Sequence, residues 1–348
     1  MNEADASNEP TMDEWDGDGY QPPMPWFGGK SRAASLIWER LGNVPCYCEP
    51  FFGSGAVLFG RPHAPGTETV NDLDGYVANV WRAIRANPDA VAEHADNPVN
   101  EIDLAARHQW LVTKGRETLT RVLSDPEGYD AKIAGWWCWG QCSWIGSGWC
   151  SGKGPWHVID GEWVSSRQLP HLGDPGQGVN RQLPHLGDPG KGTCQLHREH
   201  LTAYFRRIAD RLRYVRVACG NWDRILTPSV TFRFGLTGIV LDPPYATGEV
   251  DYTAGGNTDA ELVGAVRQWA IDNGDNPLLR ICICGYDGEF EMPDSWECVA
   301  WKAAGGYSSM AAGDTQGKAN RHRERVWFSP HCLKPEDERF PLFRGGMA

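Results

Sequence analysis

The sequence predicts an open α/β fold: a parallel or mixed sheet with helices on both faces and a long insertion before its last strands. Three observations predict it. Residues 45–59, PCYCEPFFGSGAVLF, read as a short strand (Cys46 to Cys48), a glycine-rich loop (Glu49 to Gly55) and a helix start. TVND at 69–72 reads as a second short strand ending in an acid, Asp72. Much later, the apolar run Gly238-Ile239-Val240-Leu241 leads directly into the tetrapeptide DPPY at 242–245.

Residues 1–20 hold seven acids and no lysine or arginine, and read as a disordered acidic tail. PWFGGK at 25–30 follows, a Gly28-Gly29 turn presenting Trp26 and Lys30 near one another; taken alone, it is equally a surface turn with a solvated lysine. In the glycine-rich loop, Gly53 and Gly55 let backbone approach a ligand closely, and the helix N-terminus adds donors to the same spot. Asp72 lies about 20 residues beyond that loop, where an acid can hold ribose hydroxyls in open α/β sheets. It is also a candidate N-cap for a helix over Gly75 to Ala86. Helical pattern continues over Val80 to Ala92, broken near Asn87-Pro88, and again over 104–124. From Gly135 seven tryptophans (136, 137, 139, 144, 149, 156 and 163) are interleaved with glycines, which predicts short strands and loops rather than a helix, with most of the indoles in the core. RQLPHLGDPG then occurs twice, at 167–176 and 181–190, as two loops or hairpins. Arg198 to Val215 predicts an amphipathic helix, with Leu201, Tyr204, Phe205, Ile208 and Leu212 as its apolar stripe and Arg206, Arg207, Arg211 and Arg213 mostly outside it. The remaining elements are a strand near Arg216 to Ala218, a helix over Ala260 to Asp272, and a buried strand over Leu278 to Cys284.

The tetrapeptide carries the chemistry. Pro243 and Pro244 remove two backbone donors and stiffen the chain. The carboxylate of Asp242 and the carbonyl of Pro243 can then act as acceptors at one place, beside the ring of Tyr245. An exocyclic amino group on a flat base needs two acceptors for its N–H bonds and a π-face to stack on. The plainer alternative is an Asp-Pro-Pro turn.

Together WFGGK (26–30), EPFFGSG (49–55), NDLD (71–74) and DPPY (242–245), in that order, resemble the Dam-type (class alpha) DNA adenine N6-methyltransferases. RERVWFSP (323–330) is similar to the closing strand of phage-borne members. The resemblance implies a Rossmann-like, S-adenosyl-L-methionine-dependent sheet over 21–103 and 217–331, a target-recognition insertion over 104–216, and a C-terminal tail over 332–348. It implies cofactor contacts at Trp26, Lys30, Gly53, Asp72 and Asp242, and a target-amine site at Asp242, Pro243 and Tyr245. The implied reaction is methyl transfer to adenine N6 in duplex DNA, with the base flipped out of the helix.

The net charge of −12 must be set against a DNA substrate, but the acidic tail supplies more than half of it. Six arginines fall within 198–216, and KANRHRER (318–325) adds a second basic run. Phosphate contact needs a local basic surface, not a basic total. Eleven cysteines without paired short spacings predict free thiols; Cys138, Cys142, Cys150, His157, Cys194 and His197 fit no common zinc knuckle, so no metal is expected. With no apolar run of spanning length and no signal pattern, a soluble cytoplasmic enzyme is expected, in the host cytoplasm if phage-encoded. A monomer is expected, with a dimer as the alternative. Cytosine N4 methylation, an RNA or protein amide substrate, and a catalytically silent DNA-binding subunit of a modification system stay open as alternatives.

Overall fold

A computed structural model of the protein describes residues 20–26, 29–125, 127–144, 149–150, 156–159, 162–165, 195–244, 259–301 and 323–335. The main sheet uses β1 (Cys46–Glu49), β2 (Thr67–Asp72), β5 (Val215–Cys219), β6 (Thr237–Leu241), β7 (Leu279–Tyr286), β8 (Glu297–Ala300) and β9 (Glu324–Phe328). Their order is β5-β2-β1-β6-β7-β9-β8. The first five run parallel, and β9 is antiparallel to both its neighbours. This is a seven-stranded, mostly parallel sheet consistent with a Rossmann-like methyltransferase fold. A separate antiparallel hairpin pairs β3 (Trp156–Ile159) with β4 (Glu162–Ser165).

The sheet is covered on both faces, and strand side chains alternate between them. Tyr47, Val240, Cys282 and Cys284 join one core, formed with α1 (Ala34–Leu41), α2 (Ala56–Phe59), α3 (Gly75–Ala86) and α4 (Pro88–Ala95). Cys48, Ile239, Leu241, Ile281 and Ile283 join the other, under α9 (Asp259–Asn273). The expected break at Asn87-Pro88 is present: Asn87 closes α3 and its side chain then caps α4, with Pro88 in the first turn. The 104–124 helix is α5 (Glu101–Trp110), a π-helical turn (Leu111–Gly115) and α6 (Arg116–Leu123).

One expectation is overturned. The tryptophan-glycine run opens as a helix, α7 (Ala131–Ser143), and not as strands and loops. Asp130 caps it, accepting a hydrogen bond from the Ile133 N–H at 2.8 Å. Gly140 is no breaker here: a Cβ at that position would fall 1.8 Å from the Trp149 ring, so the glycine lets an indole lie against the helix backbone. Trp137, Trp139, Trp144 and Trp149 are buried, as expected, while Trp136 is half-buried.

The helix α8 (Gln195–Leu212) buries Leu201, Phe205, Ile208 and Leu212 in the same core as the sheet. Here the arginines divide. Arg206 is exposed and pairs with Asp89, and Arg207 lies over the Tyr20 ring. Arg211, expected outside the stripe, is buried against Glu68 of β2, with Nη1 and Nη2 at 2.5 and 2.8 Å from its carboxylate. Arg61 donates to the same carboxylate at 3.0 Å and to the Val44 carbonyl at 2.7 Å. One carboxylate thus holds two guanidiniums in the interior, and burial pulls Arg61 below its ordinary pKa against the attraction of Glu68. Removing the shared acid leaves two buried cations without compensation. Glu68→Gln is therefore expected to destabilise the fold by about 3–5 kcal/mol, read as a fall in the urea midpoint; a change under about 1 kcal/mol would mean the triad behaves like a surface pair.

Candidate active site

The chain steps from β1 outward to β2, and β6 returns on the opposite side of β1. The carboxyl ends of β1 and β6 therefore flank the point where strand order reverses, the place where open α/β sheets bind ligands. Glu49 ends β1, and Asp242 follows β6 directly. Described residues of all four motifs, Trp26, Lys30, Gly53, Asp72 and Asp242, meet around this point.

Lys30 reaches Asp242 with Nζ 2.8 Å from Oδ1; the lysine side chain is 3% exposed and the aspartate 22%. Burial alone would lower the Lys30 pKa, but Asp242 and Glu324 outweigh it and hold the ammonium above its ordinary value. The Trp301 ring lies 5.8 Å from the same ammonium. Trp26 sits against Gly53, the other side of the pocket. Gly53 has φ +46°, and a Cβ there would meet the Trp26 Nε1 at 2.5 Å, so both backbone conformation and space require glycine. The turn that carries Trp26 is closed by the Gly29 N–H donating to the Trp26 carbonyl.

Asp72 faces the same loop. Its carboxylate accepts from the Gly53 N–H at 2.8 Å and from the Asp74 N–H at 2.9 Å. It is not the cap of α3; that task falls to Asp74, which accepts from the Tyr76 N–H at 2.8 Å. Burial raises Asp72 to about 7, with Asp74 adding to the rise and the backbone donors opposing it. Trp81 fixes the loop from beneath, donating to the Gly53 carbonyl at 3.1 Å.

The structure thus brings Lys30 to Asp242, and Trp26 and Asp72 to Gly53. Pro243 is buried just beyond Asp242. Tyr245 lies outside the described residues, as do both RQLPHLGDPG segments and the 318–322 part of the second basic run. Within that run, Arg325 pairs with Asp287 and Arg323 lies over the Tyr286 ring.

Glu49 is a site residue that the motif reading treated only as loop. It is 4% exposed, accepts from the Tyr47 hydroxyl at 2.8 Å, and is raised to about 8 by burial, with the charges of Asp242 and Asp72 adding to the rise. It links the two contact groups electrostatically. The available signal was its place as an acid closing a fully apolar-flanked strand, CYCE, directly before the glycine-rich loop.

The site gathers one buried cation, Lys30, four buried or half-buried acids, Glu49, Asp72, Asp242 and Glu324, and close backbone access at Gly53. It fits a zwitterionic, ribose-bearing cofactor, whose ammonium and hydroxyls would be donors for acids now held at raised pKa. The sheet and this site are consistent with a Rossmann-like methyltransferase fold. Residues 26–117 match the family model of the D12 class N6 adenine-specific DNA methyltransferases. Methyltransferases of this family use S-adenosylmethionine. The match spans the WFGGK, EPFFGSG and NDLD motifs, whereas DPPY lies beyond it. No curated protein matches the chain. Among the described residues, no helix is long and apolar enough to cross a membrane.

The raised Glu49 has a testable sign. Its folded pKa of about 8 exceeds the ordinary 4.5, so the stability it contributes is present in full below about pH 4.5 and is lost as pH rises towards 8. Glu49→Gln lacks that loss. Between pH 5 and 8 the variant should gain on the parent by on the order of 1–3 kcal/mol, measured by urea unfolding without cofactor. A parent–variant difference that is constant across this range would contradict the burial of an ionisable acid here.

Proposed function

We propose that Trp26, Lys30, Gly53, Asp72 and Asp242 hold S-adenosyl-L-methionine, and that Asp242, Pro243 and Tyr245 receive the amino group of an adenine flipped out of duplex DNA. The observation that carries the reading is the Lys30–Asp242 pair at the carboxyl end of β6, against the loop that Gly53 and Asp72 form. When bound, the cofactor supplies an electrophilic methyl group. Asp72 and Glu49 accept hydrogen bonds from its donors, and Trp26 closes the pocket over Gly53.

The adenine amine is a weak nucleophile because its lone pair is delocalised into the ring. Asp242 and the Pro243 carbonyl accept its two N–H bonds, which favours a pyramidal nitrogen and directs the lone pair along one line. The benefit is orientation and electrostatic complementarity. Lys30 acts on this step through Asp242: an ammonium at 2.8 Å fixes the carboxylate's rotamer and compensates its charge where water is scarce. Tyr245 offers a stacking face that offsets part of the few kcal/mol, roughly, needed to extrude a base. The residues between α7 and α8, with the outer surfaces of α5 to α7, serve as the target-reading region.

Two measurements check this. Nucleosides digested from unmethylated duplex DNA after incubation with the chain and labelled cofactor should contain N6-methyladenine; N4-methylcytosine in its place would overturn the adenine assignment. Asp242→Ala should lose at least ~10²-fold in kcat/KM, and Trp26→Ala and Asp72→Ala should weaken cofactor binding by calorimetry. Parental activity in the Asp242 variant, or parental cofactor affinity in both others, would place the site elsewhere.

A further inference from the structure

Helices α5 and α7 face each other with alternating cations and indoles. On α7, Lys132, Trp136 and Trp139 share one side at helical spacing; on α5, Arg107 and Trp110 do the same. The Lys132 ammonium lies 4.5 Å from the Trp110 ring centre and 4.4 Å from that of Trp136. The Arg107 guanidinium lies 5.3 Å from Trp136 and 4.7 Å from Trp139. Trp110 and Trp136 meet edge to face at 5.3 Å. Exposure grades along the stack: Trp139 is fully buried and donates to the Asn97 carbonyl, whereas Trp136, Trp110 and Lys132 are half-buried.

The two cations differ. Arg107 has Asp103 at 3.7 Å and donates to Asn97 at 2.8 Å, so it is used within the fold. Lys132 has no carboxylate within ion-pair distance among the described residues. Two ring faces orient its ammonium without cancelling its formal charge, and a held but uncompensated cation favours an anion on its open side. The stack also lies one layer from the pocket. Trp137, next to Trp136, packs at 6.0 Å on Trp26, and Tyr76 in the first turn of α3 donates to the carbonyl of Leu111, next to Trp110.

We propose that this stack is a DNA-contact surface on which Lys132 takes a backbone phosphate, with the half-buried edges of Trp110 and Trp136 against the adjoining sugar. The inference rests on DNA being the substrate, and its competitor is a purely structural ladder that pins α5 to α7. Lys132→Met keeps the aliphatic packing over both rings and removes only the charge; Lys132→Arg keeps both. Duplex binding by the full chain should be followed by fluorescence anisotropy across a salt series. Lys132→Met should raise the Kd about five- to tenfold near 0.1 M salt and reduce the salt slope by about one phosphate contact, with cofactor affinity unchanged and Lys132→Arg restoring the parental values. A Lys132→Met variant with parental Kd and slope, whether or not its melting temperature falls, reduces the stack to the structural ladder. Failure of the parent itself to bind duplex DNA would count instead against the function above, and would remove this inference with it.

Discussion

The buried ion pair between Lys30 and Asp242 is the constraint around which the rest of the site is arranged. An ammonium that is 3% exposed survives as a cation only because an acid lies 2.8 Å away and Glu324 stands nearby. Lys30 comes from the turn before α1 and Asp242 from the end of β6, more than two hundred residues later. Their pairing therefore requires the segment before α1 to pack against the carboxyl end of β6. The Gly53 loop and Asp72 occupy the neighbouring strand ends in the same way. The site is thus an outcome of the sheet's strand order as much as of any one motif.

A second constraint holds the wall around that pocket. The triad of Arg61, Glu68 and Arg211 bolts α8 onto β2 from within, and α7 brings Trp137 against Trp26 and Tyr76. Both helices come from the stretch that the motif order assigns to an insertion, yet one hydrophobic cluster runs from the sheet through α3 and α4 into them. The helices on either side of residues 144–194 are part of the core beneath the loop proposed to hold the cofactor. A change in how that region is engaged has a continuous packed path to Trp26.

Much of this was legible because local chemistry and long-range function coincide. Glycines at 53 and 55, the acid at 72 and the acid at 242 each end or follow a strand, so their types and spacing specify both the turn and the pocket. The break at Asn87-Pro88 was equally local. What escaped was settled by tertiary contact. Gly140 looks like a helix breaker until Trp149 is seen lying on it, and Arg211 looks solvated until Glu68 of a distant strand reaches it. Glu49 escaped because its one sequence signal, an acid closing the strand CYCE, also fits a loop start; the Tyr47 hydroxyl and the facing Asp242 reveal its burial. Within the one NDLD motif the N-cap of α3 falls to Asp74 and not to Asp72, whose carboxylate is taken by the Gly53 N–H.

The claim most exposed to test is that Lys30 and Asp242 act as one unit. A double-mutant cycle on kcat/KM for methyl transfer to duplex DNA, using Lys30→Met, Asp242→Asn and the pair together, reads it directly. The account predicts that the double variant, folded as the parent, loses no more than the worse single variant. Losses that multiply across the two positions would show that the residues contribute independently, and would contradict the site built here around their contact.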